Sequence, residues 1–84
     1  MKIWKFPLRV TETQRVAMPA GAEILSVKMQ KGQLCLWALV SPERDKEMCT
    51  IEVHGTGNPI GPGNREYLGT VQDHALVWHV FKVI

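Results

Sequence analysis

"VKMQKGQLCLWALV", residues 27 to 40, contains the pattern that decides the fold of this chain. Apolar and polar residues alternate up to Gln30, the dipeptide Lys31-Gly32 follows, and an apolar run begins at Leu34. Alternation with period two is typical of a β-strand with one buried face, and a two-residue break containing glycine is typical of a tight hairpin. We therefore predict two antiparallel strands joined at Lys31-Gly32.

The same alternation continues on both sides of this hairpin, and no segment has a helical period long enough to predict a helix. Strands are predicted at 4–10, 15–18, 25–30, 33–40, 48–55, 65–71 and 74–84, with turns at 19–22 and near 72–73. Leu25, Val27 and Met29 should share one face of their strand, and Cys49, Ile51 and Val53 should point inward. The prediction is a small all-β sandwich or barrel of about seven mostly antiparallel strands, forming a single domain over residues 1–84.

Size and charge restrict the class of function. The chain has 84 residues, a formal net charge of +2 and ten lysines and arginines that form no run, so binding of long nucleic acid is not expected. The longest apolar stretch, 34–40, is too short to span a bilayer, and the N-terminus does not read as a signal peptide. We expect a soluble intracellular protein without a membrane partner, in which Cys35 and Cys49 are free thiols.

Two predicted strands, 33–40 and 74–84, are apolar on both faces. A strand of this kind is normally covered on both sides. In so small a protein, the second side is covered either by another subunit or by loops of the same chain. We expect the first, a homo-oligomer, because each large apolar side chain left in water forgoes about 1.5–3 kcal/mol.

The sequence contains no recognisable catalytic or metal-binding motif. Cys49 and His54, like His74 and His79, are five residues apart, and an odd offset on a strand places two side chains on opposite faces. Both serines lack the Gly-x-Ser-x-Gly setting of a nucleophile, and no pair of carboxylates stands out. We expect neither an enzyme nor a metal site, and no cofactor.

The segment "HGTGNPIGPGN", residues 54 to 64, is the strongest candidate for a binding site. Its glycines permit backbone conformations in which successive N–H groups converge on an anion, and its prolines make it stiffer than a slack linker. A rigid hairpin loop without a ligand explains the composition equally well. The candidate binding residues are those with suitable groups in or beside this loop, together with the tryptophan nearest the N-terminus as a stacking partner: Trp4, His54, Thr56, Gly57, Asn58 and Arg65.

The whole chain resembles a large family of small phage-encoded proteins known only as a domain of unknown function. The matching pieces are "IWKFPL", "MPAGAEILSV", "GQLCLWALV", "HGTGNPI" and "EYLGTV" followed by "HALVWHVF". This family is similar to the phage sponge proteins that defeat cyclic-oligonucleotide antiviral signalling (CBASS). Those proteins bind a cyclic messenger without cleaving it, and they act as small oligomers with ligand pockets at subunit contacts.

The resemblance implies a phage immune-evasion protein that works in the host cytoplasm and sequesters a cyclic di- or oligonucleotide. No binding residue is carried over from the sponge proteins, so the candidate residues rest on the chemistry of the loop. The alternative is a phage structural or protein-interaction module with no small-molecule ligand. A small β-barrel that binds single-stranded nucleic acid is a third class, which the dispersed basic residues disfavour.

Overall fold

The computed structural model describes all 84 residues, 1–84, and contains seven strands in two sheets. The strands are β1 (Lys2–Pro7), β2 (Thr13–Pro19), β3 (Glu23–Gln30), β4 (Gln33–Val40), β5 (Lys46–Gly55), β6 (Arg65–Asp73) and β7 (Leu76–Val83). Sheet A has the order β1-β4-β3 and sheet B has the order β2-β5-β7-β6, and every paired neighbour is antiparallel. The predicted all-β architecture is confirmed, and it takes the form of two separate sheets. No helix is long and apolar enough to cross a membrane.

The core lies between the two sheets and draws on both. The fully buried side chains of sheet A include Leu36 and Val40 on its central strand, and those of sheet B include Ile51 on β5 and Val80 on β7. Ile51 and Val80 lie between residues that are more exposed, as the period-two pattern predicts, whereas on β4 Cys35 on the opposite face is also buried. Dense packing of these aliphatic side chains supplies most of the stabilisation available to so small a domain.

The predicted hairpin at Lys31-Gly32 is present. Lys31 has φ 50° and Gly32 has φ 78°, which are the left-handed conformations that a two-residue antiparallel hairpin requires. The turn predicted at 19–22 is also present, with Gly21 at φ 77°. On β5, Cys49, Ile51 and Val53 share the inner face as predicted, since Ile51 and Val53 are buried and Cys49 packs against the core.

Strand β1 ends at Pro7 and does not reach Val10 as predicted. Two further details differ from the prediction, and each has a local cause. A β-bulge between Ile24 and Ser26 shifts the register of β3, so that Ile24 packs against the core while Leu25 is 46% exposed. The bulge adds one residue and thereby reverses the alternation before it. The turn after β6 comes later than predicted, at His74-Ala75, where His74 adopts φ 57° and the strand continues to Asp73.

Strands β5 and β6 both flank β7 and both run antiparallel to it, so they point in the same direction. The connection 56–64 must therefore return along the strands, from the level of Trp78 at the end of β5 to the level of Val83 at the start of β6. The two ends of the connection are tied to side chains on the outer side of sheet B, where Thr56 hydrogen-bonds to His79 and Arg65 to Glu52. The return along the strands explains why the glycine-rich segment is long: it is a crossover and not a hairpin loop.

The central strands are covered in part by the chain itself. His54 points to the outer side of sheet B and is nevertheless only 6% exposed, so the outer side is closed there. On sheet A, Lys5 Nζ of β1 donates to Gln30 Oε1 of β3 at 2.9 Å, across the position of Cys35 on β4, which is 2% exposed. Coverage by the same chain, the alternative to a second subunit, therefore accounts for part of the two-faced apolar pattern.

Candidate functional site

The crossover 56–64 is held at both ends by backbone hydrogen bonds. At its start, Asn58 N donates to Gly55 O at 3.1 Å, and Gly57 lies third in this turn with φ 89°. Such a turn favours glycine at its third position because a side chain there is strained. At its end, Ile84 N donates to Asn64 O at 3.0 Å. The segment is thus anchored to sheet B at both of its ends.

A cavity of about 360 Å³ opens where the crossover leaves β5. Its walls come from the end of β5, the start of the crossover, the β1–β2 connection and β7: Val10, Thr11, Glu12, Val53, His54, Gly55, Asn58, Pro59 and Trp78. No lysine or arginine lines it, whereas Glu12 does. The cavity can therefore select a ligand by shape and by hydrogen bonds, and its own side chains do not attract a phosphate by charge.

Gly55 determines the shape of this cavity. A Cβ on Gly55 would lie 3.0 Å from Asn58 Nδ2 and 3.2 Å from the Trp78 ring, closer than ordinary contact. The absence of a side chain thus lets the Asn58 amide fold back over the strand beside the indole. Trp78 Nε1 is buried and has no hydrogen-bond partner in the chain.

Glu52 joins His54 to Arg65 on the outer side of sheet B. His54 Nε2 lies 3.0 Å and Arg65 Nε lies 2.9 Å from the same carboxylate oxygen, Glu52 Oε1. Since an ionised carboxylate only accepts hydrogen bonds, both nitrogens donate, and His54 carries a proton on Nε2. The hydrogen bond from His54, reinforced by the hydrogen bond and charge of Arg65, holds the pKa of Glu52 below its ordinary value of 4.5, although partial burial acts in the opposite direction.

This shift predicts that acid weakens the fold through Glu52. A carboxyl group with a lowered pKa in the folded state contributes stability above its unfolded pKa, and that contribution disappears as the pH falls through the folded pKa. The urea midpoint should therefore decline below about pH 4.5, and the decline should be smaller in a Glu52→Gln variant. If the urea midpoints of the two proteins fall equally below pH 4.5, the loss of stability in acid does not come from Glu52.

A second chain of hydrogen bonds holds Thr56 to the sheet. Thr56 Oγ1 lies 2.7 Å from His79 Nε2, His79 Nδ1 lies 3.0 Å from Thr70 Oγ1, and the hydroxyl of Thr70 contacts that of Tyr67. A neutral imidazole donates from one nitrogen and accepts at the other, and threonine hydroxyls serve either role. His79 thus clamps the start of the crossover to β6 and β7.

Aromatic rings lie beside these polar groups on the outer side of sheet B. The Phe81 ring centroid is 6.0 Å from that of His54 and 5.6 Å from that of Tyr67, both in edge-on arrangements. Tyr67 is 59% exposed, so its ring can stack on a planar ligand. Together with Arg65, these groups offer a stacking surface and a cation on the outer side of sheet B.

The structure distributes the predicted site residues unevenly. His54 and Asn58 line the cavity, and Thr56, Gly57 and Arg65 lie around them without lining it. Trp4 is separate: it lies on the inner face of β1 opposite Ala38, packs against the core, and has its ring centroid 6.4 Å from that of Phe6. The geometry therefore does not bring Trp4 to the crossover.

Three residues of this region were not identified from the sequence: Glu52, His79 and Tyr67. The sequence could have indicated Glu52, because it lies two residues before His54 and residues two apart on a strand share a face. His79 is the direct cross-strand partner of His54, and Tyr67 is that of Phe81. Those pairings depend on strand order and register, which have no local signal. No group of three or more histidine, cysteine or acidic side chains in the structure is arranged to hold a metal ion.

No curated protein and no solved structure matches this chain. A family model does match, and it covers residues 1–84, the whole sequence. Its description is "Domain of unknown function (DUF7352)". The chain therefore belongs to the DUF7352 family.

Proposed function

We propose that this protein is a phage immune-evasion protein that binds a cyclic di- or oligonucleotide and sequesters it without cleaving it. The observation that carries the proposal is the anchored crossover 56–64, of which Asn58 and Pro59 form one wall of a preformed cavity. Preformed concave sites with a few convergent polar groups are the usual form of small-ligand sites. The resemblance to phage sponge proteins supports the choice of ligand class.

The arrangement favours recognition of bases more than of phosphates. Asn58 offers an amide that both donates and accepts, which suits the edge of a nucleobase, and Thr11 adds a hydroxyl. Phosphate contacts then fall to backbone N–H groups of the glycine-rich crossover and to Arg65, whose Nε is engaged by Glu52 while its terminal nitrogens have no partner in the chain. Capture depends on shape and hydrogen bonding, since the net charge is only +2.

A homo-oligomer is part of the proposal. Ile3 on β1 is 61% exposed, and Trp37 and Leu39 on the outer face of β4 are half-buried in the single chain. A second subunit on this side of sheet A would complete their burial. Sedimentation or light scattering at micromolar concentration should report a mass above the 9.5 kDa of one chain.

Isothermal titration with a panel of 3′,5′-linked cyclic di- and trinucleotides tests the ligand. We expect heat with at least one member, and an Asn58→Ala variant should bind it about tenfold more weakly because one hydrogen-bonding group is lost. Gln72→Ala, an exposed side chain on β6, is the matched control and should bind like the wild type. If no cyclic nucleotide in the panel gives a heat of binding, the proposal is wrong.

Recovery of the ligand separates sequestration from catalysis. After binding, the protein is denatured by heat and the released nucleotide is analysed by mass spectrometry. An intact cyclic nucleotide agrees with sequestration, whereas a linearised product would show a hydrolase.

The runner-up is a structural or protein-interaction module of a phage. It is favoured by apolar side chains left in solvent at the strand ends, such as Met48 and Leu76, each 54% exposed. Co-purification with one defined protein, together with silence in the nucleotide titrations, would favour this function.

A further inference from the structure

One wall of the cavity beside the crossover, which we call the crossover cavity, belongs to the β1–β2 connection, residues 8–12. The side chain of Gln14, only 7% exposed, closes this connection: its amide donates to Arg9 O at 2.7 Å and its Oε1 accepts from Arg9 N at 3.0 Å. Val53 N donates to Glu12 O at 3.2 Å, which ties the connection to β5. The backbone that carries Glu12 is therefore held in place before any ligand binds.

Glu12 contributes the only carboxylate that lines the crossover cavity, and no lysine or arginine lines it. Neither Glu12 nor Arg9, the one cation of the connection, forms an ion pair in the structure, where ion pairs involve only Glu52 and Asp73. The proton on His54 Nε2 is already engaged by Glu52 at 3.0 Å. The charge at this cavity thus favours the part of a ligand that donates hydrogen bonds, and it disfavours a phosphate.

The nucleobases differ in the donors that they offer to a carboxylate. Guanine presents two adjacent donors, N1–H and the N2 amino group, and a carboxylate can accept from both at once, as it does from arginine. The neighbouring O6 of guanine is an acceptor, which matches the amide of Asn58 in the cavity lining. Adenine has an unprotonated ring nitrogen at the N1 position, so its lone pair would face the carboxylate. The indole of Trp78 lines the same cavity and offers an aromatic surface for the base.

We propose that the crossover cavity selects guanine among the bases of a cyclic nucleotide, with Glu12 accepting from N1–H and the N2 amino group and Asn58 donating to O6. This inference rests on the proposed function and deepens it. The cavity volume of about 360 Å³ is near the lower end of the range of about 300–1,000 Å³ that small-ligand sites span, so one base with its sugar enters and the phosphates stay outside, away from Glu12.

Calorimetric titration with cyclic di-GMP, cyclic di-AMP and cyclic di-IMP is the first test. Cyclic di-GMP should bind at least about tenfold more tightly than cyclic di-AMP, because a bidentate pair with the correct base discriminates by about this amount. Cyclic di-IMP keeps N1–H and lacks the N2 amino group, so its affinity should lie between the two. If cyclic di-AMP binds as tightly as cyclic di-GMP, the selection of guanine is wrong while sequestration of a cyclic nucleotide stands.

GMP and AMP test the base site without the cyclic backbone, and the indole N–H signals in NMR spectra report the location. GMP should shift the signal of Trp78, whereas the signals of Trp4 and Trp37, which do not line the cavity, should stay in place. If GMP shifts the Trp78 signal and no cyclic nucleotide binds, guanine recognition stands and the proposed function is wrong. Equal shifts with AMP, or no Trp78 shift with either GMP or cyclic di-GMP, would overturn the selection of guanine.

The role of Glu12 is tested with Glu12→Gln, which keeps the shape of the side chain and replaces one acceptor by a donor. Cyclic di-GMP should bind this variant about tenfold more weakly, and its preference over cyclic di-AMP should be lost. Glu43→Gln is the matched control, because Glu43 is exposed, does not line the cavity, and its substitution removes the same charge. If Glu12 acted only by repelling phosphates, Glu12→Gln would bind cyclic di-GMP more tightly. Tighter or unchanged binding by Glu12→Gln would therefore overturn the role of Glu12.

Discussion

Gly69→Ala is expected to lower the free energy of unfolding by about 1–3 kcal/mol, because it forces a methyl group into a filled core. A Cβ on Gly69 would lie 2.6 Å from Val27 Cγ2, far inside normal contact. Val27 is 7% exposed and β-branched, so it has little freedom to move away. Gly69 follows a bulge in β6, at the edge where β6 approaches β3, and is not in a left-handed conformation. The cost is therefore steric.

Two further variants separate this effect from a general effect of alanine. Gly61→Ala has open space around its Cβ and no left-handed φ, so its urea midpoint should match or slightly exceed that of the wild type. In the double variant Gly69→Ala/Val27→Ala, removal of the valine methyl groups makes room, and the combined loss should be smaller than the sum of the single losses. Equal midpoints for Gly69→Ala and Gly61→Ala would refute the steric explanation.

Glu52→Ala should destabilise the protein by about 2–3 kcal/mol, because it removes the common acceptor of two donors. Without the carboxylate, the Nε2–H of the nearly buried His54 has no acceptor, and Arg65 loses its ion pair. Glu52→Gln should lose less, since its amide oxygen still accepts one hydrogen bond. Urea denaturation at pH 7 measures both changes.

A matched carboxylate shows whether the effect belongs to this cluster. Glu23 on β3 is exposed and forms no ion pair, so Glu23→Ala should change stability by less than about 0.5 kcal/mol. Hydrogen exchange measures the local effect. In Glu52→Ala the backbone amide of Asn58 should exchange faster, because the end of β5 that supports the crossover is loosened. Similar losses for Glu23→Ala and Glu52→Ala would contradict the role assigned to Glu52.

The hairpin at Lys31-Gly32, the turn at 19–22 and the face of each regular strand were predictable because their signals are local. Lys31-Gly32 stands between two alternating runs, and left-handed conformations at those two positions follow from the hairpin. The inward set on β5 also follows from alternation alone. The prediction failed at Leu25 because a bulge inserts one residue into β3, and nothing in the residues themselves marks where an extra residue is accommodated.

Only part of the candidate site could be predicted from local sequence signals. The crossover and its polar residues stood out by composition, and Glu52 could have been paired with His54 by their spacing. Arg65, His79 and Tyr67 join that cluster only because β7 lies between β5 and β6. Trp4 was predicted to belong to the site and does not. Its position near the N-terminus suggested a ring accessible to a ligand, but the pairing of β1 with β4 turns that ring towards the core.

Local pattern in this chain was sufficient to indicate seven strands, the turns at 19–22 and Lys31-Gly32, and an unusual glycine-rich segment, because period and turn chemistry act over a few neighbouring residues. The order β2-β5-β7-β6 was decided only in three dimensions, by which apolar faces pack together. That order makes residues 56–64 a crossover and brings His54 and Arg65 together on Glu52. Contacts between residues distant in sequence arise from packing, and packing has no local signature.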